Sequence, residues 1–196
     1  MKQQLEQKLR FIIELDKMKS IYRRTILIDR SRRETDAEHS WHAATAAMVL
    51  YDEAAMAGTD LGRIIRMLLV HDLVEIYAGD TFAFDAQGYE DKQAREQAAA
   101  DKLFSMLDPS QGGEYRSLWE EFDAMQTPDA LYASAIDRLQ PFLSNVMTEG
   151  HTWDHGKVCK AQVMRRLQPV LQVFPALSEY IETAVASAIE AGWLAP

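Results

Sequence analysis

The chain has 196 residues, 47% hydrophobic and 26% charged, enough for one soluble domain spanning 1–196 with a substantial core. A formal net charge of -9 at pH 7 disfavours a nucleic-acid polymer or an anionic membrane as partner, while leaving room for a small phosphate held by local cations. The one cysteine, Cys159, excludes an intramolecular disulfide, reads as structural and suits a reducing compartment, so a cytoplasmic location is expected.

Leu5, Leu9, Ile12, Ile13 and Leu15 recur at helical spacing and predict a first amphipathic helix, with no apolar run resembling a signal peptide or a membrane span. The basic, β-branched stretch IYRRTILIDRSRRE reads as an extended loop in which Arg30, Arg32 and Arg33 are solvated or interface charges. Thr35-Asp36-Ala37-Glu38 has the form of a capping box, which puts His39 in the first turn of a second helix running to Gly58. A third helix is predicted from Asp60 to Ala78, ended by Gly79. Further helices are expected near 89–107, broken by Pro109 and Gly112-Gly113, then near 114–125 and from Thr127-Pro128-Asp129 onward. After HTWDHG come two closing helices, at 157–172 and 175–192. No strand is expected beyond a short ILI segment, so the fold class is all-α, with about seven or eight helices.

The third helix carries the clearest chemistry. Leu61, Ile64, Ile65, Leu68, Leu69, Leu73 and Ile76 form an apolar stripe, and Asp72 falls inside it. An ionised carboxylate on a buried face costs several kcal/mol, roughly, unless a strong partner meets it. A metal ion is such a partner, and His71 lies about 100° away around the helix, close enough to converge on the same point. Glu75 stands one turn beyond His71, placed to touch a water at that point without being a ligand. Asp137 lies in IDRLQPFL, where Pro141 cannot donate to its carbonyl and small residues Ala133 and Ser134 permit close helix approach. With His39, these residues offer two imidazoles and two carboxylates to one divalent cation. Against them stand ordinary readings: an arginine satisfying Asp72, and a plain proline kink at Asp137.

In order and spacing, His39 in AEHSWHAA, His71-Asp72 in LLVHDLVEIYAGD and Asp137 in AIDRLQPFL resemble the H…HD…D signature of HD-domain metal-dependent phosphohydrolases. The EHS triplet, the HDxxExxxGD pattern and the preceding basic segment are similar to the 5'-deoxynucleotidase-like branch, over about residues 10–175. The resemblance implies a helical HD fold that hydrolyses a nucleoside 5'-monophosphate or another small phosphomonoester, and it allows a homodimer. It implies His39, His71, Asp72 and Asp137 as metal ligands, Glu75 as catalytic glutamate and Asp80 as the acidic residue of the substrate site. Arg24, with Arg23 as its neighbour, matches the phosphate-gripping arginine. Some relatives place an aromatic residue next, near the sugar. Here Thr25 stands there, which loosens the inference to a deoxy sugar.

Such a donor set accepts manganese, cobalt, iron, nickel or zinc, with magnesium disfavoured. No histidine lies between residues 72 and 137, so a single-metal site is expected rather than a binuclear one. His42 reads as a hydrogen-bonded core histidine, His151 and His155 as a loop and helix cap, and Trp41, Trp119, Trp153 and Trp193 as packing or subunit contacts. The alternatives are a non-catalytic nucleotide-sensing or interaction module and an HD phosphodiesterase. Glu75 and Asp80 favour the enzyme, because a structural metal needs neither.

Overall fold

The computed structural model describes residues 2–154 and 157–196; His155 and Gly156 of the expected loop lie outside them. Helix α1 (Lys2–Leu15) and a 3-10 turn lead to an antiparallel pair, β1 (Tyr22–Ile26) with β2 (Arg33–Thr35), in which Tyr22 faces Thr35 and Ile26 faces Arg33. The expected loop is therefore a hairpin, and Arg33 staples it through the Tyr22 and Arg23 carbonyls. Of the other loop arginines, Arg30 closes on Glu149 and Arg32 on Glu38.

Helix α2 (Asp36–Val49) begins at the expected capping box. The Thr35 hydroxyl accepts from the Glu38 N–H, and Glu38 accepts from the Thr35 N–H at 3.0 Å. Hydrogen bonds from Arg32 and Thr35 hold the half-buried Glu38 carboxyl down to about 2 from its ordinary 4.5. A lowered pKa in the folded state adds stability above the unfolded value, and that stability is lost as pH falls from 4.5 through about 2. Glu38→Gln is accordingly expected to flatten the melting temperature against pH across that interval; an unchanged acid limb would remove Glu38 from it.

Helix α2 stops at Val49 rather than Gly58, and α3 (Leu61–Val70) starts on Asp60, whose carboxylate accepts from the Gly62 and Arg63 amides. The third helix then breaks. Residues 71–74 form a tight turn before α4 (Glu75–Ala78), ended as expected by Gly79 with φ 76°. Leu69 is exposed, and the inward face is Ile64, Met67, Leu68 and Val70 instead of the full stripe.

Helix α5 (Lys92–Phe104) is followed by α6 (Pro109–Ala124), which runs through Gly112-Gly113 where a break was expected. Asp108 caps α6 and Pro109 sits in its first turn, where a missing amide costs nothing. A Cβ on Gly112 would run into the Phe104 carbonyl oxygen. Gly112→Ala should therefore destabilise the fold by about 1–3 kcal/mol; an unchanged melting temperature would show that the α5–α6 contact yields freely.

Helix α7 (Pro128–Met147), capped by Thr127, packs against α2, α3 and α6, then on α9 (Gln168–Val173), which follows α8 (Lys160–Arg166). α10 (Ser178–Glu190) closes the chain, so the first expected closing helix is two short ones. Tyr132, Ala133, Ala135 and Ile136 of α7 are fully buried, and the small side chains admit the neighbouring helices. The described residues are all-α apart from the hairpin, though most of the α1 stripe does not join this core: Leu5, Leu9, Ile12 and Ile13 are exposed, while Leu15 and Phe11 pack inward. No helix among the described residues is long and apolar enough to cross a membrane.

Candidate metal centre

Four side chains meet beneath the hairpin. His39 Nε2 lies 3.0 Å from Asp137 Oδ1 and 3.8 Å from Asp72 Oδ2; His71 Nε2 lies 3.1 Å from Asp72 Oδ1 and 3.4 Å from Asp137 Oδ1. The first turn of α2, the break after α3 and the middle of α7 supply them, so residues 98 positions apart in sequence become neighbours.

The outer nitrogens fix the tautomers. His71 Nδ1 is 2.8 Å from the Leu68 carbonyl oxygen, to which it donates, and His39 Nδ1 is 2.9 Å from Gln140 Oε1. Each Nε2 lone pair then faces the carboxylates, and His71 Nε2 is buried with no hydrogen-bond partner. Burial works against a charge on His71, yet Asp72 and Asp137 overcome it and push the imidazole up to about 10. Burial opposes ionisation of these carboxyls too, but the two histidines hold Asp137 well below the usual range, and His71 with Arg23 lowers Asp72. Such a site favours a cation at His71 Nε2, and a divalent metal held there by these side chains would stand in for the proton. The donor set fits a metal: one ligand atom each from His39, His71 and Asp72 lies within 4.8 Å of the others.

Glu75 gains its place from the helix break. Glu75 N–H bonds to the Asp72 carbonyl at 3.0 Å and Leu73 N–H to Val70 at 3.0 Å, an i to i+3 pattern. With three residues per turn, side chains at i and i+3 eclipse, so the Asp72 and Glu75 carboxylates stand on one edge. Burial, then Asp72 and Asp36, raise the Glu75 carboxyl well above its ordinary value, and its Oε2 is buried without a partner. Burial and Asp72 likewise push Asp36 up to about 6. Asp36 is fully buried in the first turn of α2, and its oxygens lie within 4.8 Å of those of Glu75 and Asp80. Asp80 is raised by burial, with Arg23 acting against it.

The hairpin places the two arginines differently. Alternation along β1 turns Arg23 inward, its Nη1 2.8 Å from Asp72 Oδ2, 3.6 Å from Asp36 Oδ1 and 3.9 Å from Asp80 Oδ1. Arg24, the better sequence match, is exposed, stacks at 4.4 Å over the Phe82 ring and, with Thr25, lines an apolar cleft. Thr25 is buried, and its hydroxyl donates to Glu34 at 2.8 Å. His42 is exposed rather than in the core, meeting Gln140 at 3.2 Å.

Sequence reasoning passed over Asp36, Gln140, Arg138 and Arg166. The first two carried a signal, each three residues from a ligand and so on the same helical face. Arg166 carried none, because α8 comes to the site only through the fold.

Two clefts share a wall here. One, of about 840 Å³, contains the His71, Asp72, Glu75 and Asp137 side chains. The other, of about 600 Å³, is walled by Phe82, Phe84, Phe142, Trp153, Val163 and Leu167. Arg23, Asp80, Thr81, Arg138 and Arg166 line both.

The HD domain family matches residues 15–178. Among curated proteins, the 5'-deoxynucleotidase HDDC2 of Homo sapiens is 29% identical over 112 residues, 57% of this chain and 53% of that protein. Its Xenopus laevis counterpart is 30% identical over 110 residues, 56% and 53% of the two chains. The matched part spans about half the length of these relatives. A solved structure described as a predicted metal-dependent phosphohydrolase from Magnetospirillum magnetotacticum MS-1 superposes with a TM-score of 0.91 at 47% identity, covering 98% of this chain and 96% of that one. A conserved hypothetical protein from Pyrococcus furiosus shares the fold alone, with a TM-score of 0.59 at 19% identity, covering 93% and 99%.

Proposed function

Since the chain belongs to the HD domain family, we propose that it is a metal-dependent phosphomonoesterase that removes phosphate from nucleoside 5'-monophosphates, deoxynucleotides among them. One observation carries this reading: a buried set of metal-ligating side chains opens directly beside a cleft walled by aromatic and apolar side chains, with arginines on the wall the two share. The names of the curated relatives and of the Magnetospirillum structure support it.

His39, His71, Asp72 and Asp137 would hold the metal, with Gln140 and the Leu68 carbonyl fixing the two imidazoles. When bound, a divalent metal supplies Lewis acidity toward phosphate oxygens and makes water a stronger acid. The donor set accepts manganese, cobalt, iron, nickel or zinc. Glu75 Oε2, buried and without a partner, takes the proton of the attacking water. Oxygen joins phosphorus, the bond to the 5' oxygen breaks, and that oxygen leaves with the proton Glu75 accepted. Arg23 lies across the carboxylates and offsets their repulsion toward an incoming phosphate. Asp80, on the wall between the clefts, accepts from a sugar hydroxyl, while Phe82, Phe84 and Trp153 exclude water around the base.

The test is phosphate release from ribo- and deoxyribonucleoside 5'-monophosphates by chelated protein resupplied separately with manganese, cobalt, zinc or magnesium. Metal-dependent release is expected, with ribose substrates accepted as well, because no aromatic residue follows the inward arginine. Silence across the panel, with metal verified in the protein, would overturn the reading.

A further inference from the structure

Many of the arginines of this protein are met by acids. Arg30, Arg32, Arg63, Arg66, Arg95 and Arg116 each close on a carboxylate, as expected of a chain with 30 acidic residues against 21 basic ones. Two half-buried arginines on the wall between the clefts do not. Arg138 donates only to the Met125 thioether sulfur at 3.1 Å among the described residues, and sulfur is a weak acceptor. Arg166, the last residue of α8, approaches a carboxylate only at 3.9 Å, and that carboxylate is Asp137, whose charge the metal site uses.

Arg138 and Arg166 are both partly buried and line the same two clefts. Two adjacent guanidiniums, partly desolvated and short of counter-charge, are unfavourable unless an anion completes them. Arg23 differs, since Asp36, Asp72 and Asp80 already surround it.

We propose that Arg138 and Arg166 form a two-arginine clamp for the substrate's phosphate dianion. Both line the cleft of the metal ligands and the apolar cleft, so they stand where a phosphate joined to a nucleoside must lie. Guanidinium forks match phosphate oxygens in pairs, and two of them match a double negative charge. Diesters, which carry one charge fewer and a second substituent, are then poor substrates. This assignment rests on the phosphomonoesterase reading and names the residues that make it selective for monoesters.

The experiment is calorimetric titration of manganese-loaded protein with inorganic phosphate, for wild type, Arg138→Gln, Arg166→Gln and the corresponding lysine variants. Metal content and melting temperature are measured alongside. Each glutamine variant should bind phosphate roughly 10-fold to 100-fold more weakly, the loss of a charge-assisted hydrogen bond, with metal retained. Lysine should restore part of the affinity, since it returns the charge without the fork. A second readout compares 4-nitrophenyl phosphate with bis(4-nitrophenyl) phosphate: the preference for the monoester should shrink through KM. Should Arg138→Gln fail to fold, Arg138→Lys and the Arg166 pair decide.

Equal phosphate affinity in wild type and variants with metal bound would overturn the clamp, as would a wild type that binds no phosphate. Arginine-dependent phosphate binding without hydrolysis of any nucleotide would instead sustain the clamp and overturn the proposed function.

Discussion

Asp72→Ala is expected to leave the protein folded but without its metal, and to abolish metal-dependent phosphate release. Asp72 faces both histidines, with its oxygens 3.1 Å from His71 Nε2 and 3.8 Å from His39 Nε2. Losing an outer partner of a ligand costs about 10-fold to 100-fold in affinity or activity, so losing a ligand should exceed that range. Stability responds to two opposed terms. Arg23 loses its 2.8 Å partner but keeps Asp36 and Asp80 nearby, while Glu75 and Asp36 are relieved of a like charge. The fold should therefore survive, with its melting temperature close to that of chelated wild type. Elemental analysis after dialysis is the deciding measurement: wild-type metal content in Asp72→Ala would remove Asp72 from the ligand set.

The second large effect separates chemistry from binding. Glu75→Gln should keep the metal and lower kcat by about 10²- to 10⁴-fold, the usual contribution of a positioned general base. The same variant should melt at a higher temperature. Glu75 is a buried carboxyl with an unpartnered oxygen, crowded by Asp72 and Asp36, and a neutral amide of the same shape relieves that repulsion. Loss of turnover with gain of stability is what a strained catalytic group gives; a merely structural residue would lose both. Full activity in Glu75→Gln would take the residue out of the mechanism.

What could be read in the chain beforehand followed the range of the interactions involved. Thr35 and Glu38 satisfy each other three residues apart, so the start of α2 needed nothing distant. Gly79 ending α4 and Thr127 capping α7 are of the same kind. Local reasoning failed where a distant neighbour decided the outcome. Gly112-Gly113 looked like a break, but packing on α5 holds the helix through it, since Gly112 lies against the Phe104 carbonyl where a Cβ would not fit. The α1 stripe was correctly amphipathic, yet periodicity reports which face is apolar, not whether this chain covers it.

The site divides along the same line. Sequence by itself nominated His39, His71, Asp72 and Asp137 as a candidate donor set, by residue type, spacing and family resemblance, and the fold brings these side chains together. Sequence also nominated Glu75, three residues from Asp72. Tertiary structure alone decided how they are used. A change from 3.6 to three residues per turn after Val70 puts Asp72 and Glu75 on one edge. Pairing of β1 with β2 turns Arg23 rather than Arg24 toward the carboxylates. The fold brings Arg138 of α7 and Arg166 of α8, 28 positions later in the chain, to the wall between the clefts. Side-chain chemistry is a property of each residue and can be read in one dimension. Direction and burial depend on elements brought together by the core, and no local pattern encodes them.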